Sequence, residues 1–166
     1  MRSYSAVLFF LPIFAFAQKT EIGATIGGGA FGAEDTGSPA YVVFGVEGCG
    51  FCSRSVALFG EYNHWEKSGS DSRFLRINSV DLVAGGVRFQ FGRSFRPFVD
   101  LGVAGGWDRY EYLGGRNSHG NPGMVFGVGV AKVFQSGWYV RPQLRVYVLR
   151  GIHAGAVGSV GVGYRF

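Results

Sequence analysis

The segment "RPFVDLGVAGGWDR" (Arg96–Arg109) decides the fold of this chain, because its two faces differ in kind. In an extended strand, successive side chains point to opposite faces. One face then carries Pro97, Val99, Leu101, Val103 and Trp107. The other carries Phe98, Asp100, Gly102, Ala104, Gly106 and Asp108. A large apolar face opposite small and charged residues is typical of a narrow barrel whose outside meets lipid.

Seven further segments of roughly ten residues alternate in the same way and are separated by turn residues. The clearest, "WYVRPQLRVYVLR" (Trp138–Arg150), would by itself also fit a soluble β-sandwich with a solvated polar face. The segment Val80–Phe91 is ambiguous, because Asp81 falls on its apolar face. A β-bulge, or a strand end that stands clear of lipid, would account for this. Together the eight segments predict an all-β fold: an eight-stranded antiparallel up-and-down transmembrane β-barrel.

Composition agrees with this fold. The chain has 29 glycines, and 16% of its residues are aromatic. Interior glycine costs a helix roughly 1 kcal/mol, whereas closely packed, curved strands use it often. No apolar stretch after Ala17 reaches the length that a transmembrane helix needs. The alternative at the level of the fold is a soluble secreted β-sandwich.

The N-terminus has the pattern of an export signal. Arg2 is followed by an apolar run and by Ala15-Phe16-Ala17, a small-x-small cleavage pattern. We therefore expect a signal peptide at residues 1–17 and a mature barrel domain at residues 18–166. The apolar run is too short for a comfortable membrane anchor. Cleavage lowers the formal charge from +5 to +4 through the loss of Arg2, and no basic patch points to nucleic acid.

The inner faces of the eight segments carry charges of both signs. A buried charge without a partner is very costly, so we expect these residues to form a salt-bridge network inside the barrel. The alternative is that they lie on the solvated face of an ordinary sheet. The residues are Glu21, Glu47, Glu61, Arg88, Asp100, Arg141 and Arg145.

Loop lengths and aromatic residues predict the orientation. Three connections on one side should be long, at residues 32–39, 66–76 and 109–122, while the other side has short turns. Aromatic residues near the segment ends predict two interfacial belts. One belt comprises Trp65, Trp107, Tyr110 and Tyr112. The other comprises Phe89, Phe91, Phe134, Trp138, Tyr164 and Phe166.

The mature chain resembles the small eight-stranded OmpA-like or opacity-type outer membrane β-barrel family, through "RPFVDLGVAGGW" and "FGEYNHW". The ending "GVGYRF" also resembles the C-terminal signal by which the barrel assembly machinery recognises such proteins. The signal residues are Gly161, Tyr164 and Phe166. The resemblance implies the outer membrane of a diderm bacterium, contact with its lipid and a monomeric state. Nothing follows Phe166, so tethering through the peptidoglycan-binding domain of some members is not expected.

The motif "CGFC" places Cys49 and Cys52 at a short turn. In an exported hairpin the pair predicts a turn disulfide. Free thiols and redox or metal chemistry are the alternatives. No metal or cofactor is expected, because His64, His119 and His153 lack ligand spacing. The adjacent Ser118 and His119 do not make a catalytic dyad, so no enzymatic activity is expected.

The sequence thus favours an integral outer membrane barrel with a structural or adhesion-like role. An extracellular ligand would meet its long loops. The first alternative is a small-solute porin, since many interior glycines favour space and the charges can plug it. A lipid-active outer membrane enzyme is the second alternative.

Overall fold

In the computed structural model, the chain forms a closed antiparallel barrel in which each strand pairs with its neighbours in sequence and β1 pairs with β8. The structure describes residues 20–32, 40–50, 53, 55–68, 76–112, 115–150 and 154–166. The predicted signal peptide lies outside these residues. Among them, no helix is long and apolar enough to cross a membrane.

The eight strands are β1 (Glu21–Phe31), β2 (Ala40–Gly50), β3 (Val56–Lys67), β4 (Arg76–Gln90), β5 (Phe95–Tyr112), β6 (Gly115–Val133), β7 (Trp138–Leu149) and β8 (Gly155–Arg165). The fold predicted from the sequence is therefore confirmed. We call the side of the short turns at 91–94 and 134–137, which also holds Thr20 and Phe166, the turn end. The opposite side is the loop end.

The wall alternates as the sequence predicts. On β7 the inward residues from Tyr139 to Leu149 are buried, whereas Trp138, Leu144 and Val148 are exposed. Twenty-six large hydrophobic side chains are exposed among the described residues. A soluble monomer rarely shows an apolar patch above a few hundred Å², so this continuous apolar wall is the exterior of a membrane-spanning barrel.

The predicted long connection at residues 109–122 is mostly strand. The hairpin β5–β6 continues to the pair Tyr112 and Gly115, and only residues 113–114 separate the strands. Strand β7 pairs with β6 only from Gly123 onward. The sequence pattern did not predict a strand here, because the segment is rich in polar residues and glycines. It lies beyond the apolar wall and needs no hydrophobic alternation.

Two aromatic belts were predicted, and one residue was assigned wrongly. The six aromatic side chains of the turn end are all exposed. At the loop end Trp107 is also exposed, but Trp65 points into the barrel and is fully buried. The alternation of β3 places it on the inner face, together with Glu61 and Asn63. The side chains of Tyr110 and Tyr112 lie outside the described residues.

Asp81 faces outward, as its position in the alternation requires. The ladder is regular there, with Asp81 opposite His64 on β3 and Trp107 on β5, and the irregularity of β4 lies between Ile77 and Ser79. The Asp81 carboxylate accepts a hydrogen bond of 2.7 Å from the Tyr62 hydroxyl. It also lies 2.7 Å from Nδ1 of His64. Local partners on the outer wall therefore accommodate the charge without a bulge at Asp81.

Candidate functional site: the barrel interior

The structure places all seven charged residues of the predicted network inside the barrel, and each is almost completely buried. We call them the charge network. They come from six of the eight strands, each of which contributes one or two of them to the interior. The members are Glu21 on β1, Glu47 on β2, Glu61 on β3, Arg88 on β4, Asp100 on β5, and Arg141 and Arg145 on β7.

Arg145 is the centre of the charge network. Its Nη1 lies 2.5 Å from Oε2 of Glu61, and its Nη2 lies 3.0 Å from Oδ2 of Asp100 and 3.7 Å from Oε2 of Glu47. A guanidinium carries five donors in a planar fork, which suits several carboxylates at once. One cation therefore joins carboxylates from three strands.

Arg88 and Arg141 connect the remaining carboxylates. Arg88 binds Asp100 through two hydrogen bonds of 2.8 Å each. Arg141 donates to Glu47 at 2.8 Å and also to Glu21, on the far side of the β1–β8 seam. The result is one connected network running from mid-barrel to the turn end.

Aromatic rings lie between the guanidinium groups. The ring centre of Phe98 lies 4.2 Å from Cζ of Arg88 and 5.6 Å from Cζ of Arg141. The ring centre of Phe59 lies 5.1 Å from Cζ of Arg145, and that of Tyr139 lies 4.4 Å from Cζ of Arg141. Ring faces attract cations within about 6 Å, so these rings stabilise charges that have lost their water. The sequence put Phe59 and Phe98 on the inner face, but only their two-residue spacing from a charge hinted at this role.

The interior above the charge network is apolar. Tyr147 lies at the boundary between the charged and the apolar part. Its hydroxyl donates a hydrogen bond of 2.7 Å to Glu61 and accepts one of 3.0 Å from Asn63. Its ring contacts Trp65, with the ring centres 5.9 Å apart. Both rings belong to a buried apolar cluster that is formed by Phe31, Tyr41, Val43, Phe59, Trp65, Val80, Leu82, Ala84, Ala104, Val125, Tyr147, Leu149 and Val157.

Glycines make room for the long side chains at two places. A Cβ at Gly161 on β8 would lie 2.8 Å from Oε1 of Glu47, closer than side chains tolerate. A Cβ at Gly129 on β6 would lie 2.6 Å from Cζ of Phe98. Small residues on the inner face thus lie next to large ones on nearby strands, as a narrow barrel requires.

The residues of the predicted C-terminal signal and Cys49 of the predicted turn disulfide lie at the turn end. Tyr164 stacks edge to face between Trp138 and Phe166, at ring-centre distances of 5.6 and 5.1 Å. Cys49 is fully buried and is not a free cysteine. Its expected partner Cys52 lies outside the described residues, so the turn disulfide stays a prediction.

His64 is the histidine whose side chain the structure describes. His64 lies on the outer wall, where Nδ1 faces Asp81 and Nε2 lies 3.1 Å from Oε2 of Glu66. Among the described residues no group of three histidine, cysteine or acidic side chains could hold a metal ion. The side chains of His119 and His153 lie outside the described residues, as does Ser118.

Solved structures similar to this one include small outer membrane barrels. The chain superposes on Neisserial surface protein A with a TM-score of 0.70 at 10% identity, covering 89% of this chain and 96% of that one. It superposes on the N-terminal β-barrel domain of Pseudomonas aeruginosa OprF with a TM-score of 0.68 at 17% identity, covering 90% and 98%. For Ail, the attachment invasion locus protein of Yersinia pestis, the TM-score is 0.66 at 14% identity, covering 91% and 100%.

These structures share the eight-stranded barrel fold with this chain at low sequence identity. No family model matches the sequence, and no curated protein matches it. The likeness is consistent with the OmpA-like or opacity-type resemblance of the sequence.

Proposed function

We propose that the protein is an integral outer membrane barrel with a closed interior and a structural or surface-interaction role. The observation that carries this proposal is the packed interior. Arg88, Arg141 and Arg145, together with Tyr139, Tyr147 and Trp65, are each no more than 2% exposed. A side chain on a continuous water path would keep part of its surface in contact with water, so a passive channel is not favoured.

The location follows from the wall and the ends. The apolar exterior needs a bilayer, and single-chain barrels of this type span the bacterial outer membrane. In the proposed orientation the turn end faces the periplasm and the loop end faces outside. The stacked Trp138, Tyr164 and Phe166 then lie at the periplasmic interface, where aromatic side chains are favoured. Export through residues 1–17 and recognition of Gly161, Tyr164 and Phe166 by the assembly machinery belong to the same proposal.

The interaction role rests on the long hairpin β5–β6. Residues 115–121 of β6 pair with β5 but have no β7 partner in the described part of the chain. The hairpin therefore rises above the barrel wall on the outside. An extended surface hairpin with one unpaired edge offers backbone donors and acceptors to an extracellular ligand.

Single-channel conductance tests the closed interior. The mature chain Gln18–Phe166, refolded in detergent, is added to a planar lipid bilayer, and insertion is verified by protease protection. We expect insertion without steady current steps. Reproducible steps would favour the porin alternative instead and would make Arg88, Arg141 and Arg145 candidates for its ion selectivity.

Cell adhesion tests the surface role. A non-adherent Gram-negative host displays either the full protein or a variant in which residues 108–120 are replaced by a two-residue turn. We expect adhesion to cultured epithelial cells to rise with the full protein and to fall back with the variant at equal outer membrane levels. Equal adhesion would remove the hairpin from the proposal.

An altered lipid A mass in cells that carry the protein would favour the enzyme alternative.

A further inference from the structure

Among the ion pairs of the barrel interior, cations outnumber side-chain carboxylates. Five guanidinium groups and four side-chain carboxylates form ion pairs on the inner face of the described chain, so the guanidinium groups exceed the side-chain carboxylates by one. Three of the cations lie deep in the charge network. The remaining two, Arg96 on β5 and Arg165 on β8, are at the turn-end mouth of the barrel.

Arg96 and Arg165 share a single carboxylate oxygen that neither of them binds closely. Arg96 Nη1 lies 3.7 Å and Arg165 Nε lies 3.9 Å from Oε1 of Glu21. Both distances exceed those of ordinary hydrogen bonds. The other oxygen of Glu21 already accepts from Arg141. Glu21 therefore cannot neutralise all three cations.

One donor group of Arg96 is buried and unused. Arg96 donates from Nε to the backbone carbonyl of Arg93. Its Nη1 is buried, yet it has no hydrogen-bond partner among the described residues. In the same part of the chain Arg165 forms no ion pair other than the one with Glu21. A buried donor without a partner is costly, so Nη1 of Arg96 needs a further acceptor.

We propose that the turn-end mouth binds one oxyanion, a phosphate or a carboxylate, between Arg96 and Arg165. Both side chains reach the surface, with 12% and 14% of their area exposed, so a ligand can approach from outside. Two guanidinium forks suit an anion with several oxygens. The source is either a free anion or the headgroup of an anionic lipid in the adjacent leaflet.

Binding of inorganic phosphate tests the free-anion source. The mature chain in an uncharged detergent is titrated with phosphate at constant ionic strength, and heat is recorded. We expect saturable binding at one site. Arg96→Gln and Arg165→Gln should each weaken it by about tenfold or more, since each removes a charged donor. Lys132→Gln is the matched control, because Lys132 is exposed at the same end but points outward; its affinity should stay within about twofold.

Native mass spectrometry tests the lipid source. The protein is released from nanodiscs that contain phosphatidylcholine and phosphatidylglycerol, and retained lipids are counted. If the ligand is a headgroup, phosphatidylglycerol should be retained by the wild type and by Lys132→Gln but lost in Arg96→Gln. The heat-dependent gel mobility of each variant shows whether it folds.

Three results would overturn the proposal. The first is no saturable binding of either anion. The second is an equal loss of binding in Lys132→Gln, which would indicate a diffuse surface charge. The third is unchanged binding in folded Arg96→Gln and Arg165→Gln variants.

Discussion

Arg88 and Asp100 lie directly opposite each other on β4 and β5 and are joined by two parallel hydrogen bonds of 2.8 Å. Neither side chain is more than 1% exposed. Asp100 also accepts from Arg145, so one carboxylate neutralises parts of two buried cations. This pair is the point at which the charge network is most sensitive to substitution.

Asp100→Ala should therefore destabilise the barrel strongly. Two buried guanidinium groups lose their shared partner, and the cost of breaking a buried ion pair is about 3–5 kcal/mol. Urea unfolding in lipid vesicles, followed by tryptophan fluorescence, measures the change. The double variant Arg88→Met, Asp100→Leu removes both charges and should be more stable than Asp100→Ala alone. A loss below about 1 kcal/mol in Asp100→Ala would contradict the network described here.

Gly161→Ala and Gly158→Ala should differ, although the two glycines lie on one strand. A methyl group at Gly161 would press on the Glu47 carboxylate, whereas one at Gly158 would enter open space. Overpacking costs about 1–3 kcal/mol, while the outward change should be within about 0.5 kcal/mol of neutral. The same unfolding assay compares them. Equal effects would mean that the interior yields more easily than its burial suggests.

The three tryptophans should report opposite environments. Trp107 and Trp138 are exposed on the wall, and Trp65 is buried inside. In single-tryptophan variants with phenylalanine at the other two positions, brominated lipids should quench Trp107 and Trp138 but leave Trp65 almost unaffected. Strong quenching of Trp65 would show that β3 has the opposite face toward lipid.

His64 should bind its second proton more readily in the folded barrel than in the Asp81→Asn variant. Both ring nitrogens face carboxylate oxygens, at 2.7 Å for Asp81 and 3.1 Å for Glu66. A neutral imidazole would direct a lone pair at one of them, which is repulsive. Nitrogen-15 NMR of the labelled ring measures the protonated fraction in both proteins. A wild-type ring that is no more protonated than the ring of Asp81→Asn at the same pH would contradict this geometry.

Strand alternation made the fold predictable, because inner and outer positions of a narrow barrel demand different residues. It also predicted that the seven residues of the charge network share the interior of the barrel. It failed for Trp65, since an interfacial tryptophan and an interior tryptophan look alike near a strand end. It failed again at residues 109–122, where the strands leave the apolar wall and the pattern that marks them ends.

The partners of single side chains were less predictable. Arg96 falls on the inner face of β5, but its distance to Glu21 on β1 depends on the register of the four strand pairs that separate β5 from β1. Tyr62 and His64 come from β3 and Asp81 from β4, and only the register between these two strands explains the outward charge. Contacts of this kind follow from closure, which local patterns do not encode.

The hydrogen bond from Phe166 to the carbonyl of Thr20 and the pair of Arg141 with Glu21 both bridge the β1–β8 side of the barrel. Until the first and last strands meet, Glu21 has no access to Arg141 and stays hydrated. Dehydration of Glu21 and closure of the wall are therefore one event. The pair of Arg88 with Asp100 needs only the neighbouring strands β4 and β5, whereas the pair of Arg141 with Glu21 stabilises the barrel only once the ring is closed.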